Sequence, residues 1–234
     1  MNAPETTAAP LYRASAMGSA LLRMWRAWRI LIPTIIINAL LQALFILPNV
    51  TPGLNPAFIV LAVASFLGLV ASFLLVTTAL LVSTSGHVGI GPILASSAPR
   101  FLPLLAWSVG LLLAVLMGLI LYVIPGLIIL AATPYLLIAV VDGQRSPLAV
   151  NFRTIRARWG RWLITVALMG IVCFVVWFLS ALNGFFITGA PGAFLGWLLA
   201  GLLASWLICT WVLIYRAVED DGAPTTSDSG HSRR

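Results

Sequence analysis

Few side chains in this sequence could carry acid–base, nucleophilic or metal chemistry, and they are widely separated. A zinc site needs three or four His, Cys, Asp or Glu ligands close together, yet the two histidines, His87 and His231, are far apart in the chain. Of the six acidic residues, only Asp142 adjoins a predicted ordered element, so no pair of carboxylates is available for acid–base catalysis. The sequence therefore predicts no catalytic residue, metal or cofactor, and indicates that the protein is not an enzyme.

Asp142 ends an apolar segment and precedes Arg145 by three residues. The preferred interpretation is an exposed loop carboxylate, or one that pairs with a neighbouring arginine for about 0–1 kcal/mol. The alternative is an ion-pair latch that sets the angle of the helix predicted over 147–161. Both interpretations place Asp142 at the membrane surface.

The chain carries 13 cations, all of them arginines, in clusters between uncharged apolar segments. The clusters are Arg13, Arg23, Arg26 and Arg29; Arg100; Arg145, Arg153, Arg156, Arg158 and Arg161; and Arg216, Arg233 and Arg234. Arginine beside every second turn is the positive-inside pattern, which predicts that the clusters and both termini are cytoplasmic. Because the arginines flank apolar segments, the net charge of +7 indicates attraction to anionic lipid and not to nucleic acid.

The composition excludes a soluble domain. Hydrophobic residues make up 61% of the chain and charged residues only 8%, whereas a soluble surface needs roughly 25% or more charged residues. The absence of lysine indicates a GC-rich coding sequence. Together with the arginine pattern, it predicts a multi-pass protein of a bacterial plasma membrane.

Uncharged apolar segments separated by turns predict an all-α fold, a polytopic transmembrane bundle of about six helices. A single helix over 101–141 would be about 62 Å long at 1.5 Å per residue, so this segment must reverse, and Pro125-Gly126 is the turn signal near its middle. The predicted spans are 30–47, 57–82, 101–124, 127–141, 162–182 and 192–215. The uncharged turns 48–56 and 183–191 are predicted to be external, and 83–100 to be a cytoplasmic loop.

Two arginine-rich segments, 15–29 and 147–161, place apolar and charged residues on opposite helical faces. Such helices lie in the membrane interface, with their arginines among lipid phosphates. The residues expected to contact anionic lipid or a membrane-protein partner are Arg23 and Arg26 in the first helix and Arg153, Arg156, Arg158, Trp159 and Arg161 in the second. The membrane domain covers 15–216, and the polar ends 1–14 and 217–234 are predicted to be disordered.

Two further patterns lie within the predicted spans. Asn38 and Gln42 are one helical turn apart, and amides in hydrocarbon need hydrogen-bond partners, so this face points into the bundle or towards a second chain. An interhelical hydrogen bond is the default expectation, and a substrate-facing role is the alternative. The last span carries small residues at four-residue spacing: Gly192, Gly196, Ala200 and Ala204. This spacing predicts a close helix contact, either within the bundle or between protomers.

The middle of the chain carries an ordered set of motifs. They are Ile124-Pro125-Gly126, Pro134, the run Asp142-Gly143-Gln144-Arg145-Ser146-Pro147 and the arginine-rich helix that ends at Arg161. Over about 90–180, this order resembles the poorly characterised bacterial six-span membrane domain that also occurs as the membrane anchor of some glycerophosphodiester phosphodiesterases. The resemblance implies a six-span integral membrane protein without established chemistry. Since no phosphodiesterase domain is present in the sequence, it carries over no catalytic residue.

Two functions fit these observations. The first is a non-enzymatic accessory or scaffold component of a membrane complex, because the basic helices offer a surface for anionic lipid or a partner. The second is a small transporter or a lipid-handling protein. Ion-coupled carriers usually place ionisable groups at mid-membrane, and this sequence has none there. A mid-membrane cavity lined by Asn38, Gln42 and Thr133 would favour lipid handling, whereas a solidly packed bundle would favour a scaffold.

The positive-inside pattern makes the topology testable. In a variant without the two native cysteines, single cysteines at Asn55 and Thr188 should react with a membrane-impermeant maleimide added outside intact cells. Cysteines at Ser146 and Ser227 should react only after the membrane is permeabilised, because they adjoin arginine clusters. External labelling at Ser146 would contradict the six-span topology.

Overall fold

A computed structural model of the chain describes residues 14–45, 55–83, 89–187 and 189–222. Every regular element within these ranges is a helix, which confirms the predicted all-α transmembrane bundle. The helices are α1 (Ala14–Arg26), α2 (Trp28–Leu44), α3 (Pro56–Val82), α4 (Ile90–Ser97), α5 (Phe101–Leu121), α6 (Val123–Ala132), α7 (Leu136–Asp142), α8 (Pro147–Ala157), α9 (Trp159–Phe186) and α10 (Ala190–Gly222). In the described ranges, five helices are long and apolar enough to cross a membrane, and there are up to six spans if the bent pair α1–α2 is counted as one.

Some predicted segments lie outside the described residues. These are the disordered N-terminal segment up to residue 13, most of the external turn 48–56, residues 84–88, residue 188 and the chain end from residue 223. The sixth span was predicted to end at residue 215, but α10 continues to Gly222.

The first predicted interfacial helix ends at a sharp bend. The helices α1 and α2 meet at Ala27 with an angle of 84° between them, so α1 runs across the end of the bundle while α2 runs along it. Trp25 and Trp28 stack beside the bend, with ring centroids 6.4 Å apart. On its inner side, the Ala20 carbonyl accepts a hydrogen bond from Cys209 Sγ at 3.5 Å. This geometry is typical of a helix that lies along a membrane surface.

The third span begins earlier than the sequence suggested. The segment 83–100 was expected to be a loop, but α4, a 3₁₀ turn at Ala98–Arg100 and α5 form one 32-residue helical stretch, Ile90–Leu121. Ile93 and Ser97 face α3 and are buried, and Ser97 Oγ donates to Thr78 Oγ1 at 3.3 Å. Pro92 lies in the first turn of α4, where its missing N–H removes no helical hydrogen bond. Packing against α3 therefore extends the helix.

The reversal between the third and fourth spans occurs at Tyr122, and not at Pro125-Gly126. Tyr122 has an extended backbone (φ −167°, ψ 146°), and α6 begins at the next residue. Pro125 lies in the first turn of α6, a position that tolerates proline. Gly126 lies against Gly118 of α5. A Cβ atom on Gly118 would lie 2.7 Å from the backbone nitrogen of Gly126. The glycine therefore permits a tight helical hairpin and does not form its turn.

The second predicted interfacial helix is shorter than expected. The segment 147–161 was predicted as one helix, but α8 ends at Ala157, because Arg158 leaves the helical conformation (φ −136°, ψ 47°). Trp159 then begins α9, which continues as a membrane span to Phe186. The last connection is consequently shorter than the predicted turn 183–191, since α10 begins at Ala190.

The buried core lies at one end of the bundle. It is formed by the second half of α3, by α7 and by the last third of α10, and Arg100, Arg153 and Arg216 lie around it. This part of the molecule is called the arginine-rich end below. Towards the opposite end, α5, α6 and α9 expose most of their apolar side chains, as expected for membrane spans. The largest group of buried side chains therefore lies at the arginine-rich end, and the other spans expose apolar surface to the membrane.

Candidate functional site

A cavity of about 470 Å³ lies beside the packed core, between α2, α3, α5 and α10. Leu130 of α6 and Leu137 of α7 close part of one side. Its other apolar walls include Ile35, Phe66, Leu69, Val70, Phe73, Val76, Leu111, Leu112, Val115, Trp197 and Ile208. The volume is in the range of sites that hold small molecules. The walls suit a hydrocarbon guest.

Small polar side chains interrupt these apolar walls, and none of the lining residues is charged. They are Thr34, Asn38, Ser72, Ser108 and Ser205. Asn38 is 8% exposed, and its Oδ1 has no hydrogen-bond partner among the described residues. A polar group buried in apolar surroundings without a partner costs about 1–3 kcal/mol. Asn38 is therefore the lining residue for which a hydrogen bond from a polar ligand would be most stabilising.

Two of these hydroxyl groups have already donated their hydrogen. Thr34 Oγ1 donates to the Ile30 carbonyl at 2.7 Å, and Ser205 Oγ donates to the Gly201 carbonyl at 2.7 Å. A hydroxyl oxygen has two lone pairs besides its single hydrogen. Both oxygens can therefore accept a hydrogen bond from a guest.

Gln42 and Thr133, which the sequence grouped with Asn38, do not line this cavity. Ser65 Oγ donates to Gln42 Oε1 at 2.6 Å, and Gln42 Nε2 donates to the Ser65 carbonyl at 3.3 Å, which joins α2 to α3. Thr133 Oγ1 donates to the Ile129 carbonyl of its own helix at 2.8 Å. Only Asn38 of the three is placed to meet a guest.

The small residues of α10 have mixed surroundings. Ala200 and Ala204 line the cavity, and Gly192 lies where a Cβ atom would collide with the Ile187 carbonyl oxygen. Gly201, which the four-residue pattern of Gly192, Gly196, Ala200 and Ala204 omits, makes a close helix contact, because a Cβ atom there would lie 2.7 Å from Ile35 Cγ2 of α2. Ala200 and Ala204 leave space where larger side chains would fill the cavity.

A polar cluster ties the helices together at the arginine-rich end, and Asp142 is at its centre. Its Oδ2 accepts from the Tyr215 hydroxyl at 2.9 Å and from Gln144 Nε2 at 3.2 Å. Its Oδ1 accepts from Arg216 at 2.9 Å, and the carboxylate side chain is only 13% exposed. Asp142 is therefore not an exposed loop carboxylate; it pairs with an arginine, as the preferred interpretation allowed, but the partner is Arg216 of α10. It latches α7 to α10, and not to the helix 147–161.

Glu219 extends this cluster along α10. It accepts from Gln144 Nε2 at 3.1 Å and pairs with Arg216 at 3.6 Å and with Arg153 of α8 at 3.6 Å. Arg153 is 62% exposed, so solvent screens its contribution strongly. These contacts explain why α10 remains helical past Arg216, where the sequence indicated the start of a disordered tail.

The fourth span is broken at Pro134, inside the membrane domain. The helix α6 ends at Ala132 and α7 begins at Leu136. Proline has no N–H and clashes with the preceding helical turn, and Leu136 N donates to the Thr133 carbonyl instead of continuing the helical ladder. The break leaves backbone groups that need other partners, because hydrocarbon offers none.

Side chains from α8 and α9 supply those partners. Asn151 Oδ1 accepts from Tyr135 N at 3.1 Å, and Asn151 Nδ2 donates to the Ala132 carbonyl at 2.7 Å. Trp162 Nε1 donates to the Ala131 carbonyl at 2.9 Å. Asn151 is fully buried. Sequence reasoning missed Asn151. The available signal was an amide side chain in an amphipathic helix that follows a span containing a proline.

The predicted lipid-contacting residues are divided between three helices. In α8, Arg153 and Arg156 are exposed beside the half-exposed Phe152, and the three line an open surface groove. Ile155, on another face of α8, is buried in the core. The others lie outside α8, with Arg158 at the break, Trp159 and Arg161 in α9, and Arg23 and Arg26 in α1.

The described residues contain no group of three or more His, Cys, Asp or Glu side chains that could hold a metal ion. Cys173 is exposed and Cys209 is buried, and both are free thiols. Comparisons with protein-family models, with curated proteins and with solved structures found no match. The resemblance to the six-span membrane domain thus stays a prediction.

The repaired helix break gives a stability prediction. We expect Asn151→Leu to lower the free energy of unfolding by about 2–4 kcal/mol, because Tyr135 N and the Ala132 carbonyl both lose a buried partner. Thr154→Val is the matched control, since Thr154 is equally buried but its hydroxyl donates only to the Val150 carbonyl of its own helix. Its cost should be below about 1 kcal/mol. Equal losses in chemical unfolding in detergent micelles would contradict this assignment.

Proposed function

We propose that this protein is a non-enzymatic lipid-handling protein of a bacterial plasma membrane, which binds a membrane lipid in the cavity beside Asn38. The single observation that supports it is the cavity itself, an uncharged space of about 470 Å³ with apolar walls inside a transmembrane bundle. The space is partly open at the surface of the bundle, so an acyl chain of the bilayer can reach it.

Three features support a lipid as the occupant. The surrounding solvent of these helices is hydrocarbon, so acyl chains are present at high concentration. The lining contains aromatic and branched side chains such as Phe66, Phe73 and Trp197, which favour a flexible apolar chain. The cavity also lacks the ionisable groups that ion-coupled carriers place at mid-membrane. A bound acyl chain accounts for the space more simply than a transported ion or a metabolite.

The orientation is part of the same proposal. With the arginine-rich end and both termini in the cytoplasm, as the positive-inside pattern favours, the packed core adjoins the inner leaflet. The cavity then extends from this core towards the membrane centre. A lipid that enters it would come most directly from the inner leaflet, whose anionic headgroups the exposed arginines attract at about 1 kcal/mol each.

Filling the cavity should remove the lipid. We expect Ala200→Phe to abolish the lipid that remains bound after gentle detergent extraction, because Ala200 lines the cavity and a phenyl ring would occupy the space. Ala106→Phe is the matched control, since Ala106 is exposed on α5 outside the cavity. Native mass spectrometry of both variants and of the parent protein measures lipid per chain. Unchanged lipid in the Ala200 variant would refute cavity binding.

A second candidate function, an accessory or scaffold component, is favoured by the outer face of α8. Pro147, Asn151 and Ile155 fix the helix to the core by its buried face. The opposite face then presents Arg153 and Arg156 beside apolar side chains. A rigid helix with this composition suits anionic lipid headgroups or an acidic surface of a membrane-protein partner.

This surface can be tested independently of the cavity. Replacing Arg153, Arg156 and Arg158 by glutamine should leave membrane insertion intact, because Arg145 and Arg161 still mark the cytoplasmic side. Retention of anionic lipid, or of an acidic partner protein, should fall several-fold on purification. The triple Arg→Lys variant should retain both, since it preserves the charge. If the glutamine variant purifies with the same amounts of anionic lipid and partner protein as the parent, these arginines serve topology alone.

A further inference from the structure

The depth and the chemistry of the polar side chains in the cavity restrict what can occupy it. Asn38 lies ten residues into α2 from Trp28, which is about 15 Å along the helix axis at 1.5 Å per residue. Ser108 lies eight residues beyond Arg100 along α5, or about 12 Å. These two side chains thus lie well below the level of the arginines, in the hydrocarbon layer.

The lining excludes a charged headgroup at this depth. None of the lining residues is ionisable, so a phosphate or carboxylate drawn to Asn38 would have no counter-charge. An unpaired charge in an apolar site carries a large desolvation penalty. A phospholipid could place its chains in the cavity but would leave its headgroup at the membrane surface, away from Asn38.

The hydrogen-bonding pattern favours a hydroxyl group. Thr34 Oγ1 and Ser205 Oγ offer lone pairs, because their hydrogens are donated to the Ile30 and Gly201 carbonyls. The Asn38 carboxamide offers both a donor and an acceptor, and its Oδ1 is unpaired in the structure. A hydroxyl is the smallest uncharged lipid group that both donates and accepts. An ester or an ether only accepts hydrogen bonds and would leave Asn38 Oδ1 without a donor.

We infer that the occupant is an uncharged lipid with a free hydroxyl group, such as a diacylglycerol or a long-chain alcohol, whose single O–H donates to Asn38 Oδ1, the buried acceptor without a partner. The oxygens of Thr34 and Ser205 are alternative acceptors for the same hydrogen. This inference rests on the proposed lipid-binding function and specifies its ligand class. The hydrocarbon chains occupy the apolar walls, and the hydroxyl supplies the partner that Asn38 lacks. The chemistry selects neutral lipid alcohols over the far more abundant phospholipids.

Photo-crosslinking in phosphatidylcholine nanodiscs tests the ligand class. The probes are a diacylglycerol with a diazirine in one chain, its O-methyl ether and the phosphatidic acid with the same chains. Labelling of peptides that line the cavity should be about 3- to 10-fold stronger with the diacylglycerol than with the ether, as one or two net hydrogen bonds give. Phosphatidic acid should label the cavity no better than the ether.

Variants link the preference to the named side chains. Asn38→Leu should label equally with the diacylglycerol and its ether. Thr34→Val should reduce the preference less than Asn38→Leu does, because Thr34 is only an alternative acceptor. Thr165→Val, whose hydroxyl also donates to its own helix but lies outside the cavity, should retain the full preference. Equal labelling of the parent protein by all three probes, or stronger labelling by phosphatidic acid, would overturn the hydroxyl inference and leave lipid binding standing. Labelling of the cavity by none of them would refute the proposed function itself.

Discussion

The structure depends on one constraint, which is that a backbone group freed inside a membrane must find a partner within the protein. Pro134 breaks the fourth span, and the freed groups bind Asn151 of α8 and Trp162 of α9. These hydrogen bonds fix α8 beneath the bundle and set where α9 enters the membrane. The polar cluster around Asp142 adds α10 to the same assembly. Five helices, α6 to α10, are thereby held together at the arginine-rich end.

The opposite part of the bundle is held by fewer polar contacts among the described residues, chiefly the two hydrogen bonds between Gln42 and Ser65 that join α2 to α3. Most side chains of α5, α6 and α9 face outwards there, and the cavity begins where the packed core ends. The cavity can hold a lipid without loss of the fold, because the hydrogen-bonded helix break and the polar cluster around Asp142 do not line it. Binding would then depend on the space beside Ala200 and on the polar group of Asn38.

The sequence predicted the class of fold well, because apolar length and arginine position report directly on membrane spans. It misplaced the ends of helices where tertiary contacts decide them. Packing of Ile93 and Ser97 against α3 extended the third span, and a glycine contact at Gly126 was interpreted as a turn. The latch at Asp142 was unpredictable because its partners, Tyr215 and Arg216, are distant in the chain. A cavity has no local pattern at all, since it arises from side chains on several helices.

The central claim is that a lipid occupies the cavity between α2, α3, α5 and α10. The most direct measurement is an electron cryo-microscopy map of the protein in lipid nanodiscs, with a bound antibody fragment to aid alignment. The account predicts elongated, non-protein density between Phe73 and Trp197, with one end within hydrogen-bond distance of Asn38. Helices that close around Asn38 and leave no space or density there would contradict it.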